Sequence, residues 1–285
     1  MLPQIALYDK SFAHATSIGN GDLKIFPKYF EWDRTNSISH PIAFYTDQCL
    51  NWINANRSEH KLNCALILEP PSIAPHLYTL DTLFSLSINF NYVFTTNKSV
   101  CNHNIKWLPT TCGCWIEPED QLIYEKDFNL SCIFSGKNFS EGHRLRHSIV
   151  KQFGASKIDF VAGKGYNEIF SKLEALAAFR YQIVVENCRC NGYFTEKIVD
   201  CLKTGTVPIY WGAPDIGNYF DIKGMFTFNT IEQLSEILDK ISVEDYNSKE
   251  TSIKNNYLTA DQFTNVEDLL WNTYLKEMYE EVQSR

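Results

Sequence analysis

The sequence predicts an α/β protein made of two doubly wound domains. Three observations carry that expectation. Short apolar runs recur without alternation, amphipathic helical stretches lie between them, and the 285-residue length exceeds one typical core. The runs are PIAFYT (41–46), CALILE (64–69), NYVFTT (91–96), LSCIFS (130–135), IDFV (158–161), YQIVVE (181–186), VPIYW (207–211) and MFTF (225–228). Strands apolar at every position, rather than at every second one, fit a parallel sheet covered on both faces.

The helices read most clearly in the second half. In RLRHSIVKQF (144–153), Leu145, Ile149 and Phe153 share one face. In TIEQLSEILDKI (230–241), Ile231, Leu234, Leu238 and Ile241 do the same, and Thr230 with Gln233 spells a capping box. TNVEDLLWNTYLKEMYEEV (264–282) predicts one continuous helix opened by Thr264 and Glu267. Val266, Leu269, Leu270, Thr273, Tyr274 and Met278 would form its buried side. The stretch 102–128 shows the weakest pattern and is the expected hinge. The domains are therefore expected at 1–125 and 126–263, with 264–285 as a C-terminal helix packing back across them.

A net charge of −8 gives no basic footprint for nucleic acid. No run approaches the roughly 18 apolar residues of a membrane helix, and Asp9 and Lys10 interrupt the start too early for a signal-peptide core. The expectation is a soluble, cytoplasmic chain without a membrane span. Of nine cysteines, Cys64, Cys132 and Cys201 sit in apolar runs as small hydrophobes. Cys112/Cys114 and Cys188/Cys190 are C-x-C rather than the C-x-x-C of zinc sites, so no metal site is expected. N-x-S/T sequons at Asn56, Asn97, Asn129 and Asn138 read as chance matches in a reducing compartment.

The most informative segment is VVENCRCNGYFTEKIVDCLKTGTVPIYWG (184–212). YQIVVE predicts a buried strand and TEKIVDCLKTG a helix capped by Thr195, with Ile198, Cys201 and Leu202 as its stripe and Gly205 as its stop. Lys197 in the first turn adds positive charge to the positive end of the helix dipole, which is unfavourable for the helix alone. Together with the free N–H groups of a helix start at the carboxyl end of a strand, it marks a candidate anion site. The bland reading makes Glu196 and Lys197 solvated first-turn residues, but the whole constellation argues against it.

The constellation FRYQIVVENCRCNGYFTEKIVDCLKTGTVPIYWGAPDI resembles the signature of the α-1,3/1,4-fucosyltransferase family, inverting enzymes that use GDP-fucose. Its departures are Arg180-Tyr181-Gln182 for a Tyr-Lys-Phe strand, Val185 for Phe, Cys188 for Ser and Phe194 for Val. CIFSGKNFSEGHRLRHSIVKQFG and DFVAGKG extend the likeness upstream, and LILEPPSI resembles the family's E-S-P-S element.

The resemblance implies two Rossmann-like domains facing a cleft (GT-B type). It implies Glu69 as the base that takes the acceptor proton. Arg146 (with Arg144 as competitor) and Lys197 would hold the donor diphosphate. Glu196 would contact ribose or donor-sugar hydroxyls, Tyr193 would line the nucleotide pocket, Glu186 and Asn187 would shape the donor loop, and Gly163 would allow close backbone approach. The chain contains no D-x-D, so the implied chemistry requires no metal, with stimulation by a divalent cation left open. The implied partners are a nucleotide-sugar donor and a saccharide acceptor. The alternatives are a related transferase using another GDP-sugar and an inactive nucleotide-sugar binder.

Overall fold

The computed structural model describes residues 2–10, 16–35, 38–50 and 59–284; the sequon at Asn56 lies outside them. The chain divides into two compact units. One comprises Met1–Gly113, Cys190–Tyr193 and Asn265–Arg285, and the other Cys114–Arg189 and Phe194–Thr264.

The first unit is built on a six-stranded sheet of β1 (Gln4–Tyr8), β2 (Glu31–Asp33), β3 (Ile42–Thr46), β4 (Leu62–Ile67), β5 (Tyr92–Thr95) and β6 (Ile105–Trp107). The order is β2-β1-β3-β4-β5-β6, and every pairing is parallel. β3 is buried at all five positions, as a strand covered on both faces must be. Helix α1 (Leu80–Asn89) packs Leu83 and Leu86 on one face of this sheet.

The second unit holds β7 (Phe128–Ile133), α2 (Glu141–Phe153), β8 (Phe160–Ala162), β9 (Phe179–Val185), α3 (Glu196–Lys203), β10 (Val207–Trp211) and β11 (Phe226–Thr227). Helices α4 (Ile231–Leu238), α5 (Val243–Ser248) and α6 (Glu250–Ala260) follow. Its sheet is also parallel throughout, in the order β11-β10-β9-β7-β8. From β7 the chain moves outward to β8 and then returns past β7 to β9. The β7/β9 boundary is therefore the switch point, where doubly wound sheets bind ligands beyond the strands' carboxyl ends. Leu130, Cys132, Tyr181, Ile183, Val207 and Ile209 form the core of this unit with Ile149 and Phe153 of α2.

The C-terminal segment differs from the expected single helix. It runs as α7 (Val266–Leu270), a π-helical turn (Trp271–Leu275) and α8 (Lys276–Ser284). Asn265, not Thr264, caps it by accepting from Asp268 N–H. The wider π turn advances the buried face, so Leu275 is buried where Thr273 was expected and Thr273 is exposed. The segment completes the first unit. Buried Glu267 accepts from Ile18 N–H at 2.7 Å, Ser17 Oγ at 2.7 Å and Trp32 Nε1 at 3.0 Å, and Tyr274 Oη donates to the Trp107 carbonyl at 2.9 Å.

Gly163, just after β8, adopts φ +115°, and a Cβ there would stand 2.0 Å from the Phe134 carbonyl oxygen. The close approach is to the backbone following β7. Gly163→Ala is therefore predicted to cost on the order of 1–3 kcal/mol, read as a lowered Tm; an unchanged Tm would show that the turn relaxes freely.

Candidate functional site

Three elements of the second unit meet at the β7/β9 switch point: the start of α2, the end of β9 and the start of α3. Glu186, the first residue past β9, is fully buried and anchors the group. Its carboxylate accepts from Thr195 N–H at 2.9 Å and Thr195 Oγ1 at 2.8 Å, with Lys197 Nζ at 3.4 Å. Thr195 Oγ1 accepts in turn from Lys197 N–H at 3.3 Å, which caps α3. A buried carboxylate is costly unless it is hydrogen-bonded and paired, and Glu186 is both.

The α2 start closes on the same strand end. Gly142 N–H donates to the Asn187 carbonyl at 3.2 Å, and a Cβ on Gly142 would stand 1.7 Å from the Glu186 carbonyl oxygen, so only glycine fits. One turn on, buried Arg146 donates from Nε to the Val185 carbonyl at 3.0 Å and from Nη2 to the same carbonyl and to Asn187 Oδ1. Arg144 is exposed, with Nη1 at 3.4 Å from the Phe139 carbonyl, so Arg146 is the arginine of this group.

Ser140 and His143 cap α2 reciprocally. Ser140 Oγ accepts from His143 N–H at 3.2 Å, and Ser140 N–H donates to His143 Nδ1 at 3.3 Å. The His143 imidazole is pushed down to about 4, first by burial and then by the charges of Arg146, Lys137, Lys197 and His147. It stays neutral and gauges the positive potential that its neighbours create.

Glu196 sits behind this group. Burial alone would raise its carboxyl, but Lys197 and Lys172 hold it at about 2. Their ammonium groups lie 3.5 Å and 3.3 Å from Glu196 Oε1. The sequence reading missed Lys172, Asp200, Ser140 and His143. Glu196 and Asp200, spaced i,i+4 in an apolar helix, were the signal that could have revealed a buried cation.

Tyr193 is buried and belongs to the first unit with Cys190–Gly192. In that unit Trp107 Nε1 donates to the Gly192 carbonyl at 3.2 Å, and Lys98 N–H donates to the Asn191 carbonyl at 2.9 Å. Glu69 follows β4 in the first unit. Its backbone is set by Tyr78 Oη, which donates to its carbonyl at 2.9 Å, and by Asp47, which accepts from Leu68 N–H at 2.9 Å. Thr110 Oγ1 donates to the Ile67 carbonyl at 2.9 Å. Arg146, Glu186, Asn187, Glu196 and Lys197 are thus gathered in one unit, while Glu69 and Tyr193 lie in the other.

Burial pushes the thiols of Cys64 and Cys132 up. Among the described residues no group of three or more His, Cys, Asp or Glu is arranged to hold a metal ion. Among them too, no helix is long and apolar enough to cross a membrane.

Two doubly wound units with parallel sheets, one carrying helix starts and cationic side chains at its switch point, have the architecture of the GT-B fold class. Residues 138–249 match the model described as glycosyltransferase family 10 (fucosyltransferase) C-term. A segment of 77 residues is 35% identical to alpha-(1,3)-fucosyltransferase FucT of Helicobacter pylori, covering 27% of this chain and 16% of that protein. A segment of 44 residues is 43% identical to GDP-fucose protein O-fucosyltransferase 3 of Xenopus tropicalis, covering 15% of this chain and 9% of that protein. The matched segments thus span less than a fifth of either relative.

Among solved structures, an alpha1,3-fucosyltransferase with GDP superposes with a TM-score of 0.53 at 15% identity, over 94% of this chain and 93% of that one. Anabaena Alr3699/HepE with UDP-glucose gives a TM-score of 0.61 at 10% identity, over 96% of this chain and 99% of that one. Both likenesses are of fold.

Glu186→Ala leaves the Thr195 N–H and hydroxyl without their acceptor and is expected to cost about 2–4 kcal/mol in denaturant unfolding; a loss below ~1 kcal/mol would contradict the anchoring role. Asp47 is pushed up from 3.8 to about 6, first by burial and then by the Glu69 charge. A carboxyl whose folded pKa exceeds its unfolded one contributes stability that is fully present below the unfolded value and lost as pH rises through the folded value. Asp47→Asn keeps an acceptor for Leu68 N–H without the charge. It is expected to melt higher than the wild type at neutral pH, with the gap closing toward pH ~4.

Proposed function

We propose that this protein is an inverting glycosyltransferase that transfers fucose from GDP-fucose to a hydroxyl of a saccharide acceptor. The observation that carries the reading is the junction of two helix starts with Arg146 and Lys197 at the switch point, inside the matched segment 138–249. A nucleotide diphosphate needs free N–H groups, dipole ends and cations in one place. The names of the relatives support fucose and GDP as the donor chemistry.

In the proposed mechanism the diphosphate lies between the starts of α2 and α3. Lys197 exchanges its contacts with Glu186 and Glu196 for phosphate oxygens, and Arg146 supplies the second cation. Glu196 accepts hydroxyls of the ribose or donor sugar, while Glu186 and Asn187 keep the loop in shape. Tyr193 contributes to the nucleotide pocket, and Gly163 keeps the backbone after β8 close to that after β7. The acceptor oxygen attacks the anomeric carbon opposite the leaving GDP, and Glu69 takes its proton. Neutralising the phosphate charge that develops as GDP departs is the largest contribution asked of Arg146 and Lys197. These cations perform the task that a divalent ion performs in D-x-D enzymes, so turnover is expected to survive EDTA.

The test is turnover of GDP-fucose, GDP-mannose and UDP-sugars, with and without N-acetyllactosamine, simple sugars and a peptide acceptor, in EDTA and in Mn²⁺. GDP release from GDP-fucose alone, rising with a saccharide and unaffected by EDTA, is the expected outcome. Acceleration by the peptide instead would replace the acceptor class, and failure to bind any GDP-sugar would overturn the reading. Within an active enzyme, Lys197→Ala and Arg146→Ala should each lower kcat/KM by ~10²–10³-fold. Glu69→Gln should lower kcat by ~10²–10⁴-fold with donor affinity unchanged. Full activity in Glu69→Gln would remove it as the base.

A further inference from the structure

Glu196 and Asp200 stand one turn apart on the same side of α3, and both are buried. Like charges at this spacing destabilise a helix, and burial deprives them of the water that would screen them. Lys172 resolves the conflict from outside the helix. Its Nζ lies 2.7 Å from Asp200 Oδ2 and 3.3 Å from Glu196 Oε1.

Lys172 is itself well placed. It opens the 3-10 turn Lys172–Ala175 before β9, which is fixed by a capping box of Ser171 and Glu174. The Trp115 ring centroid lies 4.2 Å from its Nζ, and Trp115 N–H donates to Asp200 Oδ1 at 2.7 Å. Both Asp200 oxygens are therefore engaged, one by the Trp115 backbone and one by Lys172. Asp200 anchors Lys172, and Lys172 reaches on to the residue beside Lys197.

We propose that Lys172 is a positioning residue of the donor site, anchored by Asp200 and holding Glu196 as a fixed acceptor for hydroxyls of the nucleotide sugar. This rests on the reading of Glu196 as a donor ligand. A lysine that served only the packing of α3 could stop at Asp200; the reach to Glu196 joins it to the site.

The consequence is electrostatic. Burial works to raise the Glu196 carboxyl, and the two lysines overcome it. The charged groups around it are Lys197 and Asp200 on α3 and Lys172 from the turn before β9. Without Lys172, burial and the Asp200 charge gain on Lys197 alone. Glu196 then takes up a proton in the mildly acid range, and donor affinity falls there.

The experiment is calorimetric binding of GDP-fucose, whose diphosphate diester does not titrate in this range, between about pH 5 and about pH 8. The proteins are the wild type, Lys172→Met, Lys172→Arg, Asp200→Asn and Glu196→Gln. Wild-type affinity is expected to be flat, Lys172→Met to bind about tenfold more weakly at the acid end than at the alkaline end, and Lys172→Arg to restore the flat profile. Should Lys172→Met fail to fold, Asp200→Asn leaves the lysine in place without its anchor and is expected to show the same acid loss in smaller measure. If Glu196→Gln weakens binding while both Lys172→Met and Asp200→Asn stay flat, the role of Lys172 is overturned and the donor site stands. If Glu196→Gln binds as the wild type does, the reading of Glu196 falls and takes this role with it.

Discussion

The site depends on the buried Glu186 carboxylate, which joins the end of β9 to the start of α3 through the Thr195 N–H and hydroxyl. A charge with no exposure to water must be met by donors, and meeting it fixes the loop that separates the strand from the helix. Arg146 fixes the preceding carbonyl and Gly142 lets α2 approach within backbone contact. Two helix starts are thereby held at one strand end before any ligand arrives. Such preorganisation is what electrostatic stabilisation of a departing diphosphate requires, because no donor has to be reoriented at the moment of reaction.

The charges behind that junction alternate: Asp200, Lys172, Glu196, Lys197, Glu186. Every cation in this series is met by carboxylates. An incoming anion would compete with Glu186 and Glu196 for Lys197. The depressed His143 adds to the picture, since a third cation at the α2 start would repel its neighbours, and the imidazole stays neutral there.

Much of the second unit was legible in the sequence. β9, α3 and β10 announce themselves as an apolar run, a Thr-capped amphipathic helix with a glycine stop and a second apolar run, and all three form where expected. Three strands of the first unit were not legible. β1 is a five-residue strand near the chain start, while β2 and β6 are three-residue strands too short to make an apolar run. Helices α5 and α6 escaped because α6 buries Ser252 and Asn256 beside Ile253, which blurs the apolar period. The π turn in the C-terminal segment is a tertiary accommodation that a 3.6-residue period cannot encode. In the site, Lys197 and Arg146 could be found because family-like spacing and an awkward first-turn lysine mark them. Lys172 could not, since it is tied to Glu196 only by folding.

The most direct test of the central claim, that the junction of α2, β9 and α3 holds the donor diphosphate, is amide hydrogen exchange with and without GDP. The account predicts slowed exchange confined to the starts of α2 and α3 and the loop after β9, with UDP giving less protection than GDP and inorganic phosphate least. Unchanged exchange in these segments at saturating GDP, or protection centred on another part of the chain, would contradict it.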